Sequence, residues 1–85
     1  MAKTNTEKYR FQVELSRQAE QHLSMLEQLI GVSSRKELFT IAFSLLAWAV
    51  KQRREGRVIV SVDPSTHHQR ELSNPYLEQV SVSVQ

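Results

Sequence analysis

The residues that could support metal binding or catalysis are few, and their spacing suits neither role. The chain has no cysteine and three histidines, His22, His67 and His68. Because His67 and His68 are adjacent in sequence, one helix face cannot present both rings to a metal ion. Nucleophile elbows, P-loops and glycine-rich phosphate loops are absent from the sequence. We therefore expect no bound metal, no cofactor and no enzymatic activity.

A second group of polar side chains lies near the N-terminus, where it alternates with apolar residues. Arg10, Gln12 and Glu14 are interleaved with the apolar residues Tyr9, Phe11, Val13 and Leu15. This period of two is typical of a half-buried strand. The sequence therefore predicts a strand from Tyr9 to Leu15, with a guanidinium, an amide and a carboxylate on its polar face.

A third group, Ser33-Ser34-Arg35, precedes a second predicted helix. Ser34 and Glu37 have the spacing of a capping box, in which a hydroxyl and a carboxylate satisfy backbone donors of the first turn. Free N–H groups and the positive end of the helix dipole also bind anions there. We expect these three residues to form an anion clamp, although a simple cap at Ser34 and a surface cation at Arg35 fit the sequence equally well.

Two helices are predicted to position these groups. The first follows the capping residue Ser16 and ends at Gly31, with an apolar stripe of Ala19, Leu23, Leu26 and Ile30. The second follows Ser34 and ends near Gly56, and it is apolar almost all round between Leu38 and Val50. A helix of this kind must be buried from several directions.

The length of the chain makes a second copy the simplest cover for that helix. A domain of 85 residues without disulfides has a marginal core, and oligomerisation is a common remedy. The formal net charge of +2 indicates only a mild preference for anionic partners. We predict a homodimer whose core includes four residues of the second helix: Leu38, Ile41, Leu45 and Ala49.

The residues after Gly56 have a separate pattern. The apolar run Val58 to Val62 precedes the turn sequence Asp63-Pro64-Ser65-Thr66, so a short hairpin with Gln69 to Leu72 is one prediction. Asn74-Pro75 then breaks the chain. The alternating valines at positions 80, 82 and 84 fit either a strand or a disordered tail.

Targeting and membrane signals are weak. Met1 to Lys8 lacks the apolar centre of a secretory signal peptide. The longest apolar stretch, Leu38 to Val50, is well short of the roughly 20 residues that span a bilayer. We therefore expect a cytoplasmic protein that does not bind membranes.

The order of these elements resembles the ribbon-helix-helix family of Arc-, MetJ- and CopG-like DNA-binding proteins. The matching segments are Phe11-Gln12-Val13-Glu14-Leu15, Gly31-Val32-Ser33-Ser34-Arg35-Lys36-Glu37-Leu38 and Arg54-Glu55-Gly56-Arg57. The resemblance covers about half the chain and says nothing about the residues after Arg57. It implies a mainly α fold with a short N-terminal strand, an intertwined homodimer, and an intermolecular antiparallel two-stranded ribbon that enters the major groove.

The resemblance also implies a domain layout and contacts to phosphate. Residues 1–8 would be a flexible arm, residues 9–57 the ribbon-helix-helix domain, and residues 58–85 a C-terminal extension with a short hairpin and a tail. Contacts to DNA phosphates would come from Lys8, Ser33, Ser34 and Arg35.

The ribbon residues receive their roles from the same resemblance. Arg10, Gln12 and Glu14 would face the base edges, while the opposite face would anchor the ribbon in the dimer core through Phe11, Val13 and Leu15. Arginine pairs well with guanine and glutamine with adenine. Glu14 either accepts from cytosine or pairs with Arg10 of the neighbouring strand. A solvated polar strand face is the alternative for all three.

Three functions fit these expectations. The first is a sequence-specific DNA-binding protein, a transcriptional repressor that acts as a homodimer and assembles further on repeated sites. The second is an antitoxin or adaptor whose C-terminal segment binds a protein partner, with DNA binding secondary or absent. In the third, the dimeric fold is an interaction module without DNA binding, a hypothesis that Glu14 favours.

Overall fold

The computed structural model describes residues 8–83 and is mainly helical, with a small two-stranded antiparallel sheet. The chain divides into two compact units, residues 1–32 and residues 33–85. The first contains helix α1, Arg17–Ile30. The second contains four elements: α2, Arg35–Arg54; β1, Val60–Val62; β2, Gln69–Glu71; and α3, Pro75–Glu78.

Both predicted caps of α1 are confirmed. The Ser16 side chain accepts a hydrogen bond from the Ala19 backbone N–H at 3.1 Å, which satisfies one donor of the first turn. At the other end Gly31 has a φ of +76°, a left-handed conformation that costs a side chain energy and that glycine adopts freely. The Gly31 and Val32 amides both donate to the Glu27 carbonyl oxygen, which closes the helix.

Helix α2 also begins and ends where the sequence predicts. Ser34 caps its first turn by accepting from the Glu37 N–H at 3.1 Å. After the last helical residue, Gly56 is left-handed with a φ of +78°. Its amide donates to the Arg53 carbonyl while the Arg57 amide donates to the Gln52 carbonyl, the paired bonds of a Schellman motif.

The predicted C-terminal hairpin is present. Strand β1 pairs antiparallel with β2, with Val60 opposite Glu71, Ser61 opposite Arg70 and Val62 opposite Gln69. The turn between them is held by Asp63, whose carboxylate accepts from the backbone N–H and the hydroxyl of Ser65 at 2.9 and 2.7 Å. This is the local bonding that made Asp63-Pro64-Ser65-Thr66 a turn prediction.

The segment after the hairpin returns to the C-terminal end of α2. Asn74 caps α3 by accepting from the Tyr76 and Leu77 amides, and Pro75 occupies its first turn. The Ser83 amide then donates to the Arg54 carbonyl at 2.7 Å. Residues 80–83 are thus neither strand nor helix but are tied to α2, and position 84 lies outside the described residues.

The N-terminal segment is not paired as a strand in the single chain. Residues 8–16 are assigned neither helix nor strand. A ribbon strand exists only when another strand pairs with it, and the resemblance places that second strand in another copy of the chain. The intermolecular ribbon therefore stays a prediction. The predicted N-terminal arm, residues 1–8, lies outside the described residues except for Lys8.

Burial within the described residues is confined to α2. Leu38 and Ala49 are buried, and they lie on the same side of that helix because eleven residues make just over three full turns. Their predicted neighbours in the dimer core, Ile41 and Leu45, are 47% and 63% exposed. A single chain therefore leaves most of the apolar surface of α2 in contact with water.

Candidate nucleic-acid interface

The predicted phosphate clamp lies at the N-terminus of α2, where three polar side chains converge. The Ser33 hydroxyl donates to Glu37 Oε1 at 2.6 Å, and the Ser34 hydroxyl approaches the same oxygen at 3.5 Å. Ser34 Oγ in turn accepts the Glu37 N–H. The Glu37 carboxylate is therefore held over the first turn by the two serines.

This arrangement changes the chemistry expected of the clamp. A helix N-terminus favours negative charge, and Glu37 supplies one from within the chain. Ser33, Ser34 and Glu37 are all exposed, whereas Arg35 is half-buried. A phosphate that approaches this turn meets the positive end of the helix dipole, but it also meets the Glu37 carboxylate, which accepts from both serine hydroxyls.

The predicted base-reading segment is exposed on both faces in the single chain. Lys8, Arg10, Gln12 and Glu14 are all exposed. The alternating apolar side chains are exposed as well, with Phe11 at 73%. Exposure of an aromatic ring to water is unfavourable, because its burial would release hydrophobic free energy. The apolar face predicted from the alternation of residues 9–15 is therefore not buried within one chain.

Two arginines at the C-terminal end of α2 make hydrogen bonds within the chain. The Arg53 guanidinium donates to the Leu77 carbonyl oxygen at 3.4 Å and to the Arg57 carbonyl oxygen at 3.1 Å. Arg57 lies 3.6 Å from Glu55 and donates to the Gln52 side chain at 3.3 Å. Arg53 therefore ties the C-terminal extension to α2, whereas the side-chain contacts of Arg57 stay within the end of α2.

Two other cations at this end lie beside a shallow cleft. The cleft has a volume of about 420 Å³ and is lined by Ala47, Val50, Lys51, Arg54, Glu55 and Ser83. The sequence pattern indicates only that cations suit the negative end of the helix dipole. It gives no sign of the cleft, because Ser83 is brought there from the far end of the chain.

The predicted site residues are divided between the two compact units. Ser33, Ser34 and Arg35 form one turn in the second compact unit, whereas Lys8 to Glu14 belong to the first. Two hydrogen bonds of the candidate site were not predicted from the sequence. The Ser33–Glu37 bond has a recognisable spacing of four residues, whereas the Arg53–Leu77 bond spans 24 residues and has no local signal.

Other chemical sites are not supported by the described residues. Among residues 8–83 there is no cluster of three metal-ligating side chains, and none of the helices there has the length and apolar character needed to cross a membrane. Hydrogen bonds from the hydroxyl and then the amide of Ser65 hold the pKa of Asp63 below its usual value of 3.8, as expected for a turn carboxylate.

Comparison with known proteins adds no relative to this picture: no protein-family model, curated protein or solved structure matches the chain.

Proposed function

We propose that the chain is a homodimeric ribbon-helix-helix protein that binds specific DNA sequences and represses transcription by occupying them. The observation that carries this proposal is the exposure of apolar side chains around α2 in a single chain. Leu45, Phe43 and Trp48 are 63%, 57% and 49% exposed. Large apolar side chains exposed on several sides of one helix are typical of a surface that another chain covers.

A second copy would cover this surface and explain the N-terminal segment at the same time. Burial of a large apolar side chain is worth about 1.5–3 kcal/mol, so several such residues on α2 supply a substantial driving force for association. Phe11, at 73% exposure, would gain a similar amount if two segments paired as a ribbon over that core. One dimer thus accounts for two exposed regions.

The pairing of two N-terminal segments would place their polar side chains on one outward face. Successive residues of a strand point to opposite sides, so Arg10, Gln12 and Glu14 would project away from the core. The first two match the hydrogen-bonding patterns of guanine and adenine in the major groove. The backbone donors at the start of α2 would meet phosphates beside the groove.

The folded state of the extension favours this function over an antitoxin. Tails that bind a toxin are typically disordered until they meet it. Here residues 60–78 contain two paired strands and a capped helical turn, and Ser83 is bonded to α2. A tail that is already folded has less to gain from ordering on a partner.

The proposal is tested by selecting bound sequences from random duplexes and then measuring affinity for the selected site. The double variant Arg10→Ala, Gln12→Ala should lose about 1–3 kcal/mol per base contact on that site and much less on random DNA. The matched control is Lys51→Ala, which removes a cation from the C-terminal end of α2, outside the predicted DNA-contacting residues. Unchanged affinity of the double variant for the selected site would rule out the ribbon as the reading element.

A further inference from the structure

The outer edge of β1 in the hairpin carries backbone groups for which the described residues show no hydrogen bond. The Leu72 amide donates to the Ile59 carbonyl at 2.7 Å, and the Asp63 amide donates to the His68 carbonyl at 2.8 Å. In an antiparallel pair, hydrogen-bonded positions alternate along each strand. The backbone N–H and C=O groups that point toward β2 are therefore those of Ile59, Ser61 and Asp63. The same groups of Val60 and Val62 point away from β2.

The side chains on this edge are uncharged and partly exposed to water. Val60 and Val62 share one face of the hairpin and are 41% and 51% exposed, while Ser61 lies on the other face. No charged residue occurs from Val58 to Val62. An uncharged strand edge with free donors and acceptors is a template for another strand.

We propose that β1 pairs antiparallel with β1 of a second copy, so that two hairpins form one four-stranded sheet. In the register that uses every free group, Val60 lies opposite Val62 of the second copy, and the reverse pair is equivalent by symmetry. Each pair exchanges two backbone hydrogen bonds, which makes four in all. Ser61 then lies opposite Ser61 of the second copy, where the two hydroxyls can bond to each other.

Charge selects β1 rather than β2 for this contact. In the same arrangement, self-pairing of β2 would place Arg70 directly opposite its own copy, and like charges in that position are destabilising. Self-pairing of β1 places Asp63 opposite the apolar Ile59 and brings the four valines into one cluster. The β1 edge is therefore compatible with its own copy, and the β2 edge is not.

The size of the hairpin also favours an added strand. Each strand has three residues, and two-stranded hairpins are marginal in water unless further strands or a helix support them. Ile59 and Leu72, at one end of the hairpin, line a small cavity together with Arg53 of α2 and Leu77 of α3. Val60 and Val62 lie on the opposite face, which the second hairpin would extend with its own two valines.

A single introduced cysteine tests the register directly, because the chain has none of its own. Residues directly opposite at a non-hydrogen-bonded position have Cα atoms about 4.5 Å apart, within the range that a disulfide requires. Ser61→Cys should therefore give a disulfide-linked dimer on mild oxidation. The control Arg70→Cys should not, because three strand spacings put the two copies of that residue roughly 14 Å apart.

Charge substitutions at the two valines provide a second test. In the Ser61→Cys chain, Val60→Lys with Val62→Lys places like charges opposite each other, whereas Val60→Lys with Val62→Glu places opposite charges there. Cross-linking should be at least about tenfold faster in the lysine–glutamate chain than in the lysine–lysine chain. Circular dichroism and amide exchange of β2 verify that both hairpins are folded.

The proposal is overturned if Ser61→Cys does not cross-link although the hairpin is folded, or if the two charge variants cross-link at equal rates. The proposal would also be overturned if the β1 edge were found paired with a strand of a different protein instead of a second copy of this chain. None of these measurements involves DNA or the surface of α2. A failure here is therefore distinguishable from a failure of the proposed function.

Discussion

Ser33 Oγ lies 2.6 Å from Glu37 Oε1, so the residue predicted to bind phosphate donates its hydroxyl to a carboxylate within its own chain. The two residues are one helical turn apart, at the end of α2 where the helix dipole attracts negative charge. Glu37 therefore stabilises the start of the helix and competes with an external anion for the same donors.

Neutralising Glu37 should strengthen DNA binding. Glu37→Gln keeps a side chain that can serve in a capping box but removes the charge that repels phosphate. We expect affinity for random duplex to rise by about two- to fivefold at low salt, which corresponds to a dipole-scale interaction. The control is Glu55→Gln at the C-terminal end of α2. An equal gain in DNA affinity in both variants would show that the effect comes from the net charge of the chain and not from the position of Glu37.

A charge in place of Leu45 should distinguish the proposed dimer from a protein that is stable as a monomer. In the single chain Leu45 is 63% exposed, so Leu45→Asp would cost little if the protein functioned alone. In the proposed dimer the same change buries an unpaired carboxylate. We expect the dimer dissociation constant to rise at least about a hundredfold, or about 2.7 kcal/mol, in analytical ultracentrifugation.

The matched control for this variant is Thr40→Asp, about 140° around the helix from Leu45. Thr40 is exposed, and its neighbours one turn away on the same face, Lys36, Glu37 and Ser44, are polar and exposed. Equal sedimentation of both variants and the unmodified protein would contradict the proposed interface.

Arg53 should hold the C-terminal extension against α2. Arg53→Met keeps an apolar stem but removes the donors that reach the Leu77 and Arg57 carbonyl oxygens. Hydrogen exchange of residues 75–83 should accelerate, because local opening then breaks fewer hydrogen bonds. Arg54→Met is the control, since only the backbone carbonyl of Arg54 takes part in a bond to Ser83. Equal exchange in the two variants would count against this role.

The hairpin turn should weaken in acid. Hydrogen bonds from the Ser65 hydroxyl and amide lower the pKa of Asp63 below its usual value of 3.8. A carboxyl with a lower pKa in the folded state adds stability above the unfolded pKa, and that stability is lost as the pH falls through the folded pKa. We expect the protection of amides in residues 60–71, measured against an unstructured chain at the same pH, to fall below about pH 4.

In Asp63→Asn the turn should lose this acid dependence, because the amide can still accept from Ser65 but does not titrate. Carboxyls elsewhere in the chain still titrate in this variant. An unchanged acid response of the hairpin would therefore assign the effect to them rather than to Asp63.

The sequence by itself determined the local boundaries of this protein. Ser16 and Ser34 cap helices because their hydroxyls reach amides only three residues away. Gly56 ends α2 for an equally local reason, since its left-handed backbone closes bonds to the preceding turn. Asp63 likewise nucleates the hairpin turn through bonds to Ser65.

The tertiary structure decided the contacts between residues that are far apart in the sequence. Arg53 reaches Leu77 across 24 residues, and nothing in the spacing of an arginine and a backbone carbonyl reveals such a contact. The turn of helix at Pro75 is too short to show a helical period, although Asn74 and Pro75 have the composition of a helix start. The alternation from Tyr9 to Leu15 defines two faces of a strand, but a strand forms only when another backbone satisfies its hydrogen bonds.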